Sequence, residues 1–259
     1  MPAFILPDGR ALHFETFGQG APVLLLHGYL DSHKTFFRLF DALSANHSLT
    51  IPDQRGHGDS DPAPEYSIAG FTADAIALLD SLALGPVHIA GHSLGGIVAQ
   101  RIAATRPELV KSLALISTTR SATGNPALAE AAPLLADLTG TVPASLAREF
   151  QASTTYTKLP EQIFTIYLAE TAKVSLATWR GALDELLHEP PPPATPIAHP
   201  ALIIWGENDT LFTAADEDSL RAALPAARFI ALPETGHAPN WERPEQTAAA
   251  LLKFWNEIP

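Results

Sequence analysis

The 259-residue sequence predicts an α/β fold, a mostly parallel, doubly wound sheet of eight strands with a helical cap inserted into it. Three observations predict this. Short apolar runs alternate with segments whose apolar residues recur every three or four positions, the pattern of a parallel sheet with helices on both faces. The alternation lapses between about residues 120 and 196, where Ala-, Leu- and Thr-rich helical stretches carry no strand pattern and finish in "EPPPPATP". It then resumes to the end of the chain. The expected division is a core of residues 1–119 and 197–259 and a cap of residues 120–196, with the prolines as an extended return leg.

The elements follow in order. "FIL" and "LHFETF" flank "PDGR" and read as an opening hairpin. "VLLL" at 23–26 is a strand that runs straight into His27 and Gly28, and Phe36, Leu39, Phe40 and Leu43 then recur at helical spacing. "SLTIPD" is the next strand and ends in the loop "DQRGHGDSD". Ser67 is placed to cap a helix whose apolar face is Ile68, Phe71, Ala75, Leu78 and Leu82. "VHIA" feeds Ser93, the helix "IVAQRIAATRP" stops before Pro107, and "SLALIS" is a further strand. Beyond the cap come "ALIIW", a helix over about 213–224, "RFIAL" and a last helix over about 244–255.

Composition excludes several function classes. Hydrophobic residues at 46% and charged ones at 17%, broken regularly by Gly and Pro, describe a globular protein. No segment is long enough to span a bilayer, and "MPAFILPDGR" lacks the basic start of a signal peptide, so a cytoplasmic protein without a membrane partner is expected. A net charge of −12 with scattered Lys and Arg disfavours a nucleic-acid partner. With no cysteine, disulfides, thiolate metal sites and a cysteine nucleophile are excluded. The chain has neither H-E-x-x-H nor a phosphate-cradling Gly loop, so no metal and no cofactor is expected.

"VHIAGHSLGGIVAQ" carries the chemistry. A serine between two glycines is weak by itself, but Ser93 follows a buried strand and opens a helix, the setting in which a strained turn presents Oγ above a sheet. Gly91 and Gly95 fit because such a turn leaves no room for side chains two residues to either side. Gly96 would let the helix pack close to the sheet. A hydroxyl needs a base to take its proton and a carboxylate to orient that base. "GENDTLF" puts Asp209, with Glu207 as competitor, beyond one strand end, and "GHAPNWERP" puts His237 beyond the next. Strand ends on one edge of a parallel sheet converge on one crevice, so the three can meet.

Taken with "LLLHGYLDS" and "DQRGHGDS", these motifs resemble, in order, those of the α/β-hydrolase fold superfamily, over essentially everything except the cap. The resemblance implies that Ser93 is the nucleophile, His237 the base and Asp209, by the family's spacing, the orienting acid. It also implies that the backbone N–H groups of Tyr29 and Leu94 form an oxyanion hole, each such donor being worth on the order of 10²- to 10³-fold in rate. Asp53 and Arg55 are expected to tie their loop, and His57 and His92 to fill variable motif positions. Asp31, Phe36, Trp179, Phe212 and Trp241 are candidates for the substrate pocket, with Phe150, Phe164 and Tyr167 as further aromatics.

The implied function is hydrolysis of small to medium, largely apolar carboxylic esters or lactones through an acyl-enzyme. A serine at 93 sets aside the aspartate-nucleophile dehalogenases and epoxide hydrolases of this fold. Enol-lactonase, carbon–carbon bond hydrolase and cofactor-free perhydrolase remain as alternatives on the same residues, and beyond them a ligand receptor without turnover. The carbon–carbon class needs cations for a substrate carboxylate, for which Arg120, Arg148 and Arg180 are the candidates.

Overall fold

Residue alternation along the central strands sorts side chains into two layers. In a computed structural model of the chain, which describes residues 3–189 and 197–259, Leu24 and Leu26 pack on one face of the sheet and Val23 and Leu25 on the other. The strands are β1 (Ala3–Ile5), β2 (Ala11–Phe17), β3 (Ala21–Leu26), β4 (His47–Pro52), β5 (Val87–His92), β6 (Val110–Ile116), β7 (Ala201–Gly206) and β8 (Arg228–Leu232). They form one eight-stranded sheet in the order β1-β2-β4-β3-β5-β6-β7-β8. Only β2 runs against its neighbours, pairing antiparallel with β1 and with β4. From β4 to β8 every pairing is parallel.

The helices are α1 (Phe40–Ser44), α2 (Ile68–Leu82), α3 (Leu94–Thr105), α4 (Pro126–Ala129), α5 (Ala131–Ala136), α6 (Ala144–Ser153), α7 (Glu161–Thr171), α8 (Leu176–His188), α9 (Ala214–Ala223), α10 (Pro239–Glu242) and α11 (Pro244–Asn256). Ser67 caps α2 by accepting from the Gly70 N–H at 3.0 Å, as its position predicts. The helical spacing at 36–43 is realised as a 3₁₀ helix over His33–Leu39 that widens into the short α1. α2 and α3 cover one face of the sheet, and α1 with α11 the other. Among the described residues no helix is long and apolar enough to cross a membrane.

Between β6 and β7 the described chain is helical, α4 to α8, with no strand. The proline-rich return leg, residues 190–196, lies outside the described residues. Trp179, Leu183 and Leu186 of α8 share a buried cluster with Ile68 and Phe71 of α2. Polar ties reinforce that contact, since Glu185 accepts from the Ile68 N–H at 2.8 Å and Thr178 donates to the Tyr66 hydroxyl at 2.8 Å.

The loop after β4 is fixed by charge. Fully buried Asp53 accepts from the His33 N–H at 2.6 Å, from His33 Nδ1 at 2.9 Å and from the Asp59 N–H at 2.9 Å. Arg55 donates to Asp74 of α2 at 2.8 Å and also pairs with Glu65. His13, His33 and Asp53 bring donor atoms within 4.8 Å of one another, a spacing compatible with a cation, but Asp53 already spends both oxygens on these N–H groups. Burial alone would raise the Asp53 carboxyl; the His33 hydrogen bond and nearby positive character outweigh it and hold it at about 2. A carboxyl depressed below its unfolded value of about 3.9 stabilises the fold above that pH, and the stabilisation fades as pH falls toward 2. Asp53→Asn should therefore lower Tm at pH 7 by roughly 5–10 °C, the effect of removing a buried, multiply bonded charge worth about 2–3 kcal/mol. In calorimetry the gap to the parent should narrow below pH 3; equal melting at pH 7 contradicts the assignment.

Candidate active site

Ser93 follows β5 directly and has φ 53° and ψ −119°, in the left-handed region that a side chain rarely adopts. Such a residue costs about 1–3 kcal/mol and persists only where its surroundings over-determine it. Here its N–H donates to Ile116 O of β6 at 3.0 Å, and its carbonyl accepts from Thr118 Oγ1 at 2.6 Å and Gly96 N at 2.9 Å. The glycines have separate steric reasons. A Cβ on Gly91 would collide with Gly95 O, one on Gly95 with Leu26 O of β3, and one on Gly96 with the Thr118 side chain.

Asp209 lies just past β7 and His237 just past β8, on the same edge of the sheet as Ser93. His237 Nδ1 is 2.8 Å from Asp209 Oδ2, while Asp209 Oδ1 accepts from the N–H groups of Leu211 at 2.8 Å and Phe212 at 3.0 Å. Both side chains are buried. The Phe212 ring stands edge-on to His237, with centroids 5.3 Å apart, and fixes its plane. Glu207, the competing acid, is exposed, whereas Asp209 is buried against the imidazole.

Ser93 and His237 line one small cavity. Asp31, Tyr29 and Phe212 line it too. So do Phe150 and Tyr167, whereas Phe36, Phe164, Trp179 and Trp241 do not. Phe36 packs on the opposite face of the sheet with Leu39 and Leu43, because its 3₁₀ helix turns it away from the strand ends. Trp241 stacks on Tyr167 at 4.7 Å and donates to Thr35 Oγ1, sitting behind the wall. Trp179 is core, and its carbonyl accepts the Tyr29 hydroxyl at 2.7 Å. Burial pushes that phenol well above its usual value, so it stays a donor. Leu94 is not among the lining residues, but it is the first residue of α3, and its N–H has no acceptor within the helix.

Four kinds of wall residue were not legible: Gln151 and Thr154 from the end of α6, Leu128 and Leu186 from α4 and α8, Leu211 beside Asp209, and His92. His92 is more than a filler. Its Nε2 lies 2.8 Å from His237 O, and because a carbonyl only accepts, His92 donates there and pins the histidine loop. The end of α6 binds the same loop, since Thr154 O accepts the His237 N–H at 2.8 Å. Buried Glu242 accepts from the N–H groups of Gly236, Tyr156 and Thr157 at 2.7–2.9 Å. His57 is buried with its Nδ1 against Arg55 O, and burial drives its pKa down to about 3, so it is neutral.

The chain matches the alpha/beta hydrolase family over residues 23–250 and belongs to that family. It is 30% identical to a pimeloyl-[acyl-carrier protein] methyl ester esterase of Nitrosomonas europaea, over 91% of this chain and 96% of that protein. Among solved structures it resembles an esterase from Exiguobacterium antarcticum, with a TM-score of 0.92, 19% identity and 98% and 99% of the two chains covered. It also resembles the enol-lactonase from Burkholderia xenovorans LB400, with a TM-score of 0.90, 23% identity and 99% and 100% coverage. At those identities the structural likenesses establish the fold.

Glu217 of α9 stands behind Asp209 without a partner on either oxygen. Burial, then the charge of Asp209, raises its carboxyl to about 9, so it is protonated at neutral pH. A carboxyl whose folded pKa exceeds its unfolded value costs stability that grows above about pH 4.5, here by about 2–3 kcal/mol at pH 7. Glu217→Gln removes that cost and should raise Tm by roughly 5 °C at pH 8 with little change at pH 4.5. An unchanged or lower Tm at pH 8 sinks this reading of Glu217.

Proposed function

We propose that the protein is a serine hydrolase of small to medium carboxylic esters that works through an acyl-enzyme, with helices α4 to α8 as a cap over the site. The observation that carries this is the 2.8 Å Asp209–His237 hydrogen bond in a cavity shared with Ser93, whose backbone is held in a strained turn. With the His237 proton on Nδ1 and directed at Asp209, Nε2 is left as the acceptor for the Ser93 hydroxyl proton. Ser93 Oγ then attacks the carbonyl carbon, and the carbonyl oxygen becomes an anion. The N–H groups of Tyr29 and Leu94 receive that anion without reorganising, since both are fixed by backbone structure. His237 returns the proton to the departing alcohol, and water repeats the sequence on the acyl-enzyme.

A relative supports an ester substrate: the Nitrosomonas protein is a methyl ester esterase. The carbon–carbon alternative is disfavoured by its cations. Arg180 donates to the carbonyls of Leu135, Ala136 and Leu138, Arg148 pairs with Glu161, and neither they nor Arg120 line the cavity.

Ser93→Ala should reduce turnover of p-nitrophenyl butyrate at least about 10³-fold while leaving the melting curve essentially in place. A fluorophosphonate should label one residue per chain, Ser93, as read by mass spectrometry of the digested adduct. Turnover by the alanine variant within a few-fold of the parent overturns the proposal.

A further inference from the structure

Beside an apolar side of Leu128, Phe150, Leu186, Leu211 and Phe212, the cavity has a polar corner made by Asp31, His92, Gln151, Thr154 and Tyr167. The hydrogen bonds behind that corner fix what each group has left to offer.

Gln151 Nε2 donates to Thr171 Oγ1 at 2.8 Å. The Thr171 hydroxyl proton is itself directed at the carbonyls of Leu30 and Tyr167, at 3.2 and 3.3 Å. That hydroxyl therefore accepts from Gln151, which sets the amide orientation and leaves Oε1, buried, with no donor. His92 spends its Nε2 proton on His237 O, so in the neutral ring Nδ1 is a bare acceptor; it too is buried without a partner. Asp31 Oδ2 accepts from Thr35 Oγ1 at 3.1 Å and faces His92 Nδ1 at 3.5 Å, while Asp31 Oδ1 makes no close hydrogen bond and the Tyr167 hydroxyl is the donor that faces the carboxylate.

Donors are scarce in comparison. The Thr154 hydroxyl is committed to Gln151 O at 2.8 Å. Tyr167 keeps its phenolic proton, because burial and then the Asp31 charge oppose ionisation. No Arg or Lys is among the described lining residues. The corner thus presents acceptors on three side chains at most 2% exposed, one of them a carboxylate, against a single phenolic donor that already faces that carboxylate.

We propose that this corner recognises a hydrogen-bond-donating substituent, a hydroxyl or a primary ammonium group, on the ester cleaved at Ser93, and that it rejects substrates bearing a carboxylate. Buried acceptors lose water contacts, and a ligand donor restores what they lack. A carboxylate supplies no donor and gives up its own hydration to meet the Asp31 charge. This inference rests on the ester-hydrolase reading above and narrows its substrate class.

The test compares kcat/KM of the whole wild-type chain on matched esters in a pH-stat at pH 7.5. Ethyl 6-aminohexanoate, ethyl hexanoate and monoethyl adipate place an ammonium, a methyl and a carboxylate at the end of similar chains. On the alcohol side, 2-hydroxyethyl butyrate is matched with propyl butyrate. The expected order puts at least one donor-bearing ester about tenfold above its apolar partner, and monoethyl adipate about tenfold or more below ethyl hexanoate. Asp31→Asn should bring monoethyl adipate to within about threefold of ethyl hexanoate. Ser93-dependent hydrolysis in which monoethyl adipate equals or exceeds ethyl hexanoate overturns the inference and leaves the ester-hydrolase reading standing. Absence of hydrolysis on every ester, or hydrolysis that survives Ser93→Ala, overturns the underlying reading instead. Should Asp31→Asn fail to fold, the wild-type series decides alone.

Discussion

The close approach of the first turn of α3 to the ends of β3 and β6 is the constraint on which the rest of the structure depends. Ser93 can hold a positive φ because four hydrogen bonds, to Ile116 O and from Thr118, Gly96 and Ile97, leave its peptide groups no alternative partners of equal quality. The approach also demands glycine at 91, 95 and 96, where a methyl group would strike backbone or Thr118. Strand order then completes the geometry. β5, β7 and β8 are parallel and end on one edge, so the loops carrying Ser93, Asp209 and His237 leave the sheet side by side.

Position at the sheet edge does not by itself orient an imidazole. His237 is held by bonds from separate parts of the chain: Asp209 on Nδ1, His92 on its carbonyl and Thr154 on its N–H. The last comes from the α4–α8 region, and Glu242 repeats the link by joining Gly236 to Tyr156 and Thr157. The helical region and the histidine loop are therefore one hydrogen-bonded assembly. A displacement of the end of α6 is felt directly at the imidazole backbone.

The sheet was legible because strand and helix periods are local properties, and each strand carries its own apolar run. Ser93, Asp209 and His237 were legible for a related reason: each sits in a short motif at a strand end, where topology supplies the long-range information. The cavity wall had no such shorthand. Gln151 and Leu186 lie in helices, and Thr154 just past one, whose apolar spacing says only that they are helices and not that their side chains reach one cavity. Closeness in sequence to a motif misled at Trp241 and Phe36. Trp241 follows His237 by one helical turn, yet its indole N–H is drawn to Thr35 and its ring to Tyr167. Phe36 follows the Tyr29 loop, yet its side chain points to the other side of the sheet.

Asp31 shows how a residue with a weak sequence signal acquires meaning from its neighbours. An aspartate just past a strand end is ordinarily a turn or cap residue, and Thr35 does satisfy one of its oxygens. The other oxygen is buried at the wall of the cavity, next to two further acceptors whose protons are already committed elsewhere. Evolved interiors seldom leave three acceptors unmet in one place, since each costs free energy until a donor arrives. The same cavity holds the strained Ser93, so on the proposed ester-hydrolase reading the donor that best relieves the corner is one delivered by the ester itself. Recognition and chemistry would then draw on a single burial event, with the substrate's own hydroxyl or ammonium group completing the hydrogen bonding that the folded chain leaves open.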